Sequence, residues 1–195
     1  MIDQQEVILL QQRIACSNDQ PAYVRLYRIY YHALYGFALT YVKTREIAEE
    51  IVSDVFVQVW QHRARLEEIH NLTVYLYTCI RNHSLNFLAK EKKHLHLPLE
   101  DSSMYIASTA QNPEQRFISV EMIQEIELAV QQLPPRCGLI FKMIREDGLR
   151  YREVAEILNV SVKTVEAQVG IALRKISDAL QKQFASSYTP LRAVK

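Results

Sequence analysis

The chain has 195 residues, of which 49% are hydrophobic and 23% charged. That is room for one large domain or two small ones, and it is too apolar for a disordered chain. A formal net charge of +1 means that nucleic-acid binding would depend on local charge arrangement or on a partner. No apolar run approaches the roughly 20 residues that span a bilayer. The start "MIDQQEVILLQQR" lacks the basic-then-apolar pattern of a signal peptide. Cys16, Cys79 and Cys137 are scattered, without a C-x-x-C pair. They predict reduced thiols in a cytoplasmic protein rather than a disulfide framework. With only 4 glycines and 6 prolines, long stretches are free of both, which predicts an all-α fold.

Residues from about 5 to 92 read as one helical unit. In the segment 22–42, Tyr23, Leu26, Tyr27, Tyr30, Leu34 and Phe37 recur every three or four residues and form an apolar helix face. Further helices are expected over 45–64 and 71–92, with the acidic "RLEEIH" (65–70) between them. From about 93 to 118 two prolines, several serines and the loss of any period predict a flexible linker. An amphipathic helix over 117–133 is stopped by Pro134-Pro135. Another follows over 136–147, with Gly148 placed to cap it. The tail after about 184 looks frayed. The expected domains are 1–95 and 117–183, joined by a linker over 96–116, with a tail over 184–195.

The segment Glu153 to Val169, "EVAEILNVSVKTVEAQV", meets the needs of a helix-turn-helix. Ala155 is small where the second helix crosses, and Asn159 tolerates a positive φ in the turn. Ser161 offers its hydroxyl as an N-cap. Val154, Leu158, Val160, Val165 and Val169 are positioned to fill the angle between the helices. The second helix then turns Lys163, Thr164, Glu166, Ala167 and Gln168 outward. Gln168 can pair with adenine and Glu166 can accept from cytosine, while Ala167 and the Thr164 methyl can touch thymine. Arg174 and Lys175 lie further on, within reach of phosphate. A plain helical hairpin is the alternative.

Two other stretches carry candidate surfaces. Along 48–60, Ile51, Val52, Val55, Phe56, Val57, Val59 and Trp60 cover more of a helix than one core-facing stripe needs, and Glu49, Glu50, Asp54 and Gln58 lie beside them. Either this helix presents a partner surface, or it is a central core helix with a solvated acidic edge. The next helix bears Arg81, Asn82, His83, Asn86, Lys90, Lys92 and Lys93. Basic and amide groups near aromatics suit unstacked bases and phosphate, although a run such as "KEKK" also fits a solvated face.

The stretches "LYRIYYHALYGFALTYVKTREIAEEIVSDVFVQVW" (26–60), "YLYTCIRNHSLNFLAKEKK" (75–93) and "QQLPPRCGLIFKMIREDGLRYREVAEILNVSVKTVEAQVGIALRKI" (131–176) together resemble the bacterial RNA polymerase sigma-70 family, in its extracytoplasmic-function group. The run "KTVE" is similar to the Bacteroidetes type. The resemblance spans about 20–180. It implies a subunit without catalysis and without cofactor, metal or small-molecule substrate, whose partners are core RNA polymerase and promoter DNA. A membrane-bound anti-sigma partner is common in that group. Region 2, over 1–95, would dock on the polymerase clamp through Glu50, Ile51, Asp54, Val55, Phe56 and Gln58. Asn71, Arg81, Asn82, His83, Asn86, Lys90 and Lys93 would meet the −10 DNA, and the loop 65–71 would hold an extruded base. Region 4 would read the −35 element through Ser161, Lys163, Thr164, Glu166, Ala167, Gln168, Arg174 and Lys175.

The chain departs from the family pattern at Tyr75, Asn86, Ala89, Glu166, Gln168, Gly170 and Ile171. Arg150 stands at an expected serine or threonine cap, so the helix it precedes is expected to lack that cap. A LuxR-type regulator also matches "LNVSVKTVEAQV", but it would need an α/β sensory half. A di-iron bundle would need the pairs Glu67/His70 and Glu91/His94, and the second of these sits in a lysine run.

Overall fold

The computed structural model describes residues 3–95 and 120–187, with side chains described over 3–91 and 126–181. The expected linker, 96–116, lies outside the described residues. Among those described there is no strand, and the order is α1 (Gln4–Ser17), α2 (Gln20–Val42), α3 (Arg45–Gln61), a 3-10 helix (Arg63–Glu68), α4 (Leu72–Leu95), α5 (Val120–Gln131), α6 (Pro135–Arg145), α7 (Tyr151–Leu158) and α8 (Val162–Ser187). The all-α expectation holds. So do the helix positions of the first half, with α3 ending three residues earlier than expected and α4 starting one residue later and ending three residues later. The tail expected from 184 is helical as far as Ser187.

Short polar residues set the boundaries. Asp3 and Asp19 accept from the amides of Gln5 and Ala22, each at 2.9 Å, and so satisfy free donors at the starts of α1 and α2. Asn18 closes α1 in the left-handed region at φ 52°, a conformation asparagine tolerates. The helix α6 ends at Arg145, two residues earlier than expected. Gly148 takes φ 73° beyond the end, and the Leu149 amide bonds back to the Met143 carbonyl at 3.0 Å.

In the first half, α2 packs on both α3 and α4, and α1 packs on α2 and the 3-10 helix. Leu26, Tyr30, Leu34 and Phe37 of the expected α2 face are buried, whereas Tyr23 and Tyr27 are half-buried at its edge. There Tyr23 donates from its hydroxyl to the Phe56 carbonyl at 2.8 Å, and Tyr27 meets the Phe56 ring edge-on at 4.8 Å. Gln11 is buried, and its amide donates to the carbonyls of Leu66 and Ile69. One α1 side chain thereby fixes the backbone of the 65–70 segment.

In the second half, α8 packs on α5, α6 and α7. Its separate small core consists of Ala129, Leu133, Cys137, Ala172 and Ile176. The rest of its apolar residues, including Leu139, Ile140, Met143, Val154 and Ile157, join a single buried cluster with the first half. The two sequence domains therefore share a core, with α7 packed on α4.

Candidate nucleic-acid and polymerase interfaces

The helix-turn-helix has the local chemistry expected of it. Asn159 adopts φ 52°, ψ 53°, and the Val160 amide reaches back to the Ala155 carbonyl at 2.9 Å. The Ser161 hydroxyl accepts from the Thr164 amide at 3.0 Å and contacts the Thr164 hydroxyl at 2.8 Å. Val154, Ala155, Val165 and Val169 are buried at the crossing, and Leu158 and Val160 are half-buried. Ile157, which the sequence reading did not name, is fully buried with them. Arg150 makes no side-chain cap, as expected, but its own amide donates to the Glu153 carboxylate at 2.7 Å, so one free donor is met from the other direction.

On α8, Lys163, Glu166, Ala167, Arg174 and Lys175 are exposed, and Thr164 and Gln168 are half-exposed. The back of this helix is pinned, with the Cys137 thiol donating to the Gln168 carbonyl at 3.1 Å. A rigid back and an open front allow such a helix to enter a groove.

The α4 candidates separate into two groups. Asn82, Asn86 and Lys90 are exposed at helical spacing on one stripe with Tyr75, and Arg81 and His83 flank it half-buried. Asn71 is elsewhere. It is the residue before α4, its side-chain oxygen accepting from the Val74 amide at 3.1 Å while its amide donates to Glu153 of α7 at 2.8 Å. The Lys93 side chain lies outside the described ones.

The polymerase candidates on α3 require a correction. Ile51, Val55 and Phe56 are 5%, 1% and 1% exposed, so their side chains belong to the core. Glu50, Asp54 and Gln58 are exposed, together with Glu49, Ser53 and Val57. The excess of apolar residues on this helix arises because α2 and α4 cover it from two sides. Beside it, Tyr23 lies 4.9 Å from Trp60, and the Arg63 guanidinium lies over the Trp60 ring at 4.8 Å.

Two buried tyrosine hydroxyls and the half-buried Asp147 carboxyl lie where the halves meet. The Tyr41 hydroxyl has no hydrogen-bond partner; burial pushes its pKa up to about 12, against the pull of Arg81 and Arg136. The Tyr77 hydroxyl also lacks a partner of full hydrogen-bond geometry, yet it sits near enough to Asp147 to favour that carboxylate's charge, which we read as a weak contact. Burial raises the Asp147 carboxyl to about 6, with Tyr77 and Lys142 opposing the shift and Glu146 adding to it. No signal in the sequence marks these groups, because each faces a residue far away in the chain.

Residues 26–94 match the family model "Sigma-70 region 2", and residues 123–176 match "Sigma-70, region 4". The chain is 24% identical over 174 residues to a protein of Bacillus subtilis named ECF RNA polymerase sigma factor SigW, covering 86% of this chain and 91% of that one. To the ECF RNA polymerase sigma-E factor of Escherichia coli it is 23% identical over 174 residues, covering 85% and 90%. A similar fold occurs in the sigma factor RpoE of Bartonella quintana, solved in complex with the anti-sigma factor NepR. The TM-score is 0.54 and the identity 21%, over 82% of this chain and 96% of that one.

Proposed function

This chain belongs to the RNA polymerase sigma-70 family, in its extracytoplasmic-function group, as a sigma factor that binds core polymerase and directs promoter-specific initiation, and we propose how its surfaces divide that work. The halves expected at 1–95 and 117–183 act as separate readers. The acidic row Glu50, Asp54 and Gln58 docks on polymerase, with Glu49 and Val57 beside it. Acidic groups around an exposed apolar side chain suit a basic helical partner. The stripe Asn82, Asn86 and Lys90, flanked by Arg81 and His83, meets the −10 strand, with amides for base edges and cations for phosphate. Lys163, Thr164, Glu166, Ala167 and Gln168 read the −35 duplex, with Arg174 and Lys175 on phosphate. The protein works in the cytoplasm, performs no chemistry and is held in check by an anti-sigma protein.

The observation that carries this reading is the α7–α8 unit, whose turn and cap are satisfied internally while its reading face stays open. Charge supplies the test. Over 119–183 there are nine Lys/Arg and nine Asp/Glu, hence no net charge. Duplex affinity rests largely on counterions released at basic contacts, with a slope of about −0.9 per phosphate neutralised. The free chain is therefore expected to bind promoter duplex weakly at physiological salt and with a shallow slope. With core polymerase, which positions both readers together, binding becomes tight. A salt titration with and without core, followed by sequencing of the transcripts started, checks this. Tight sequence-specific binding by the chain alone would favour a self-sufficient regulator.

A further inference from the structure

The helix α2 carries a row of tyrosines that its core leaves partly open to solvent. Tyr23, Tyr27, Tyr31 and Tyr35 recur every four residues, and each is half-buried. Tyr23 and Tyr27 lean on the Phe56 ring of α3, with centroids 6.2 and 4.8 Å away, so the row begins where α2 meets α3. Tyr31 lies 5.2 Å from Tyr27 and stacks on Tyr35 at 5.9 Å with 13° between the ring planes. The two flanks of this row carry opposite charge. On the α3 side, burial and then the Glu49 carboxylate push up the hydroxyl pKa of Tyr27 and Tyr31, which puts that charge beside the row. Glu46, Glu50 and Asp54 are exposed on the same helix. On the far side α2 exposes Arg28. At about 100° per residue, Tyr31 falls between Tyr27 and Arg28 around the helix, and so does Val24, which is 41% exposed. Arg25 is held by Glu6 of α1 at 2.8 Å, whereas Arg28 forms no ion pair among the described residues. Val24, Arg25 and Arg28 line a groove of about 420 Å³ with Gln20 and Pro21.

We propose that the face shared by α2 and α3 seats a helix of core polymerase that is charged with both signs: its apolar stripe lies on the tyrosine row, a basic edge meets the α3 carboxylates, and an acidic edge meets Arg28. The proposal rests on the polymerase docking given above to the α3 row. It adds α2 to that surface and a second sign of charge to the partner. Packed helices lie about 8–10 Å apart. A helix is about 10–12 Å across with its side chains. One helix laid along the line where α2 meets α3 therefore reaches both flanks at once. Tyrosines suit such a contact, because they offer a large area with few rotatable bonds, and a row already stacked loses little further freedom on docking. A partner that was basic all round would set its charge against Arg28, which opposes docking. A partner with one edge of each sign is accepted in one orientation, with its basic edge toward α3, and is rejected when turned round.

The test is the affinity of the full chain for core polymerase, measured by competition against labelled wild type, with helix content followed by circular dichroism. Arg28→Glu should weaken binding about tenfold, as reversal of an interface charge does. On a face that was simply acidic, the same substitution would leave binding unchanged or tighten it, and either result overturns the proposal. Tyr31→Ala should also weaken binding about tenfold, through loss of a central aromatic contact, while Tyr31→Phe keeps the ring and should bind like wild type. Wild-type binding by Tyr31→Ala overturns the proposal, as does a Tyr31→Phe variant as weak as Tyr31→Ala. Should Tyr31→Ala lose helix content, Arg28→Glu decides alone, since its side chain is exposed. Asp54→Lys separates this inference from the reading beneath it. Weak binding by Asp54→Lys with wild-type binding by Arg28→Glu removes the two-signed partner and leaves the acidic docking row in place. Wild-type binding by Asp54→Lys removes both.

Discussion

The first half of the chain is built around its own core, whereas the second half borrows part of one. Four helices and a 3-10 turn bury Leu26, Tyr30, Leu34, Val52, Phe56 and Tyr77 among themselves, and the exposed acidic row of α3 lies outside that core. Among the described residues, the second half has a five-residue buried cluster of its own, and its other buried apolar residues share one cluster with the first half, where α7 packs on α4. A small domain has little interior for its surface. Leaning on a larger neighbour supplies the missing burial. The difference shows that a DNA-reading unit can be locally well formed, with its turn and its Ser161 cap satisfied, and still share its packing with another unit.

The largest expected effect is on the self-contained half. Phe56→Ala removes a ring that is 1% exposed and meets Tyr23 and Tyr27, so it should cost about 3–5 kcal/mol. If the second half leans on the first, thermal unfolding of this variant remains a single transition at a lower Tm. Two separated transitions would show that the halves are energetically independent. Next is Gln168→Ala on the opposite half. It should relax base preference at one or two neighbouring positions of the −35 element, by about 1–3 kcal/mol in competition binding of the polymerase complex. Uniform weakening at every position would place Gln168 on phosphate alone.

A smaller effect is expected on the α3 surface. Asp54→Lys should reduce affinity for core polymerase by about tenfold, as a charge reversal at an interface does. Its helix content should not change, because the side chain is exposed. Unfolding of this variant would return Asp54 to a structural role. The smallest is Ser161→Ala, which deprives the Thr164 amide of its 3.0 Å acceptor. It should cost about 1 kcal/mol in chemical denaturation, with the promoter preference of the polymerase complex retained.

Local periodicity and turn chemistry made most of the helices and the helix-turn-helix legible. Asn159 and Ser161 act on neighbours within five residues, so their roles can be read from spacing alone. The same reasoning misplaced Ile51, Val55 and Phe56, because an apolar surplus on a helix looks the same whether a partner covers it or two neighbouring helices do. It also missed Gln11, a polar residue whose burial depends on carbonyls 55 and 58 positions away. The placement of Asn71 was equally out of reach. Its capping role follows from its position before α4, but its bond to Glu153 crosses 82 residues.

What the residues determined by themselves was helix type, the tight turn and the identity of the outward-facing groups on α8, since these follow from 3.6-residue periodicity and from side chains that bond to nearby backbone. Only the tertiary structure decided which apolar residues are core, that α7 docks on α4, and that Asn71 and Glu153 bond across the two halves. Those outcomes depend on burial against elements distant in the chain. Burial is non-directional and proportional to area removed from water, so no local pattern records which surface will supply it.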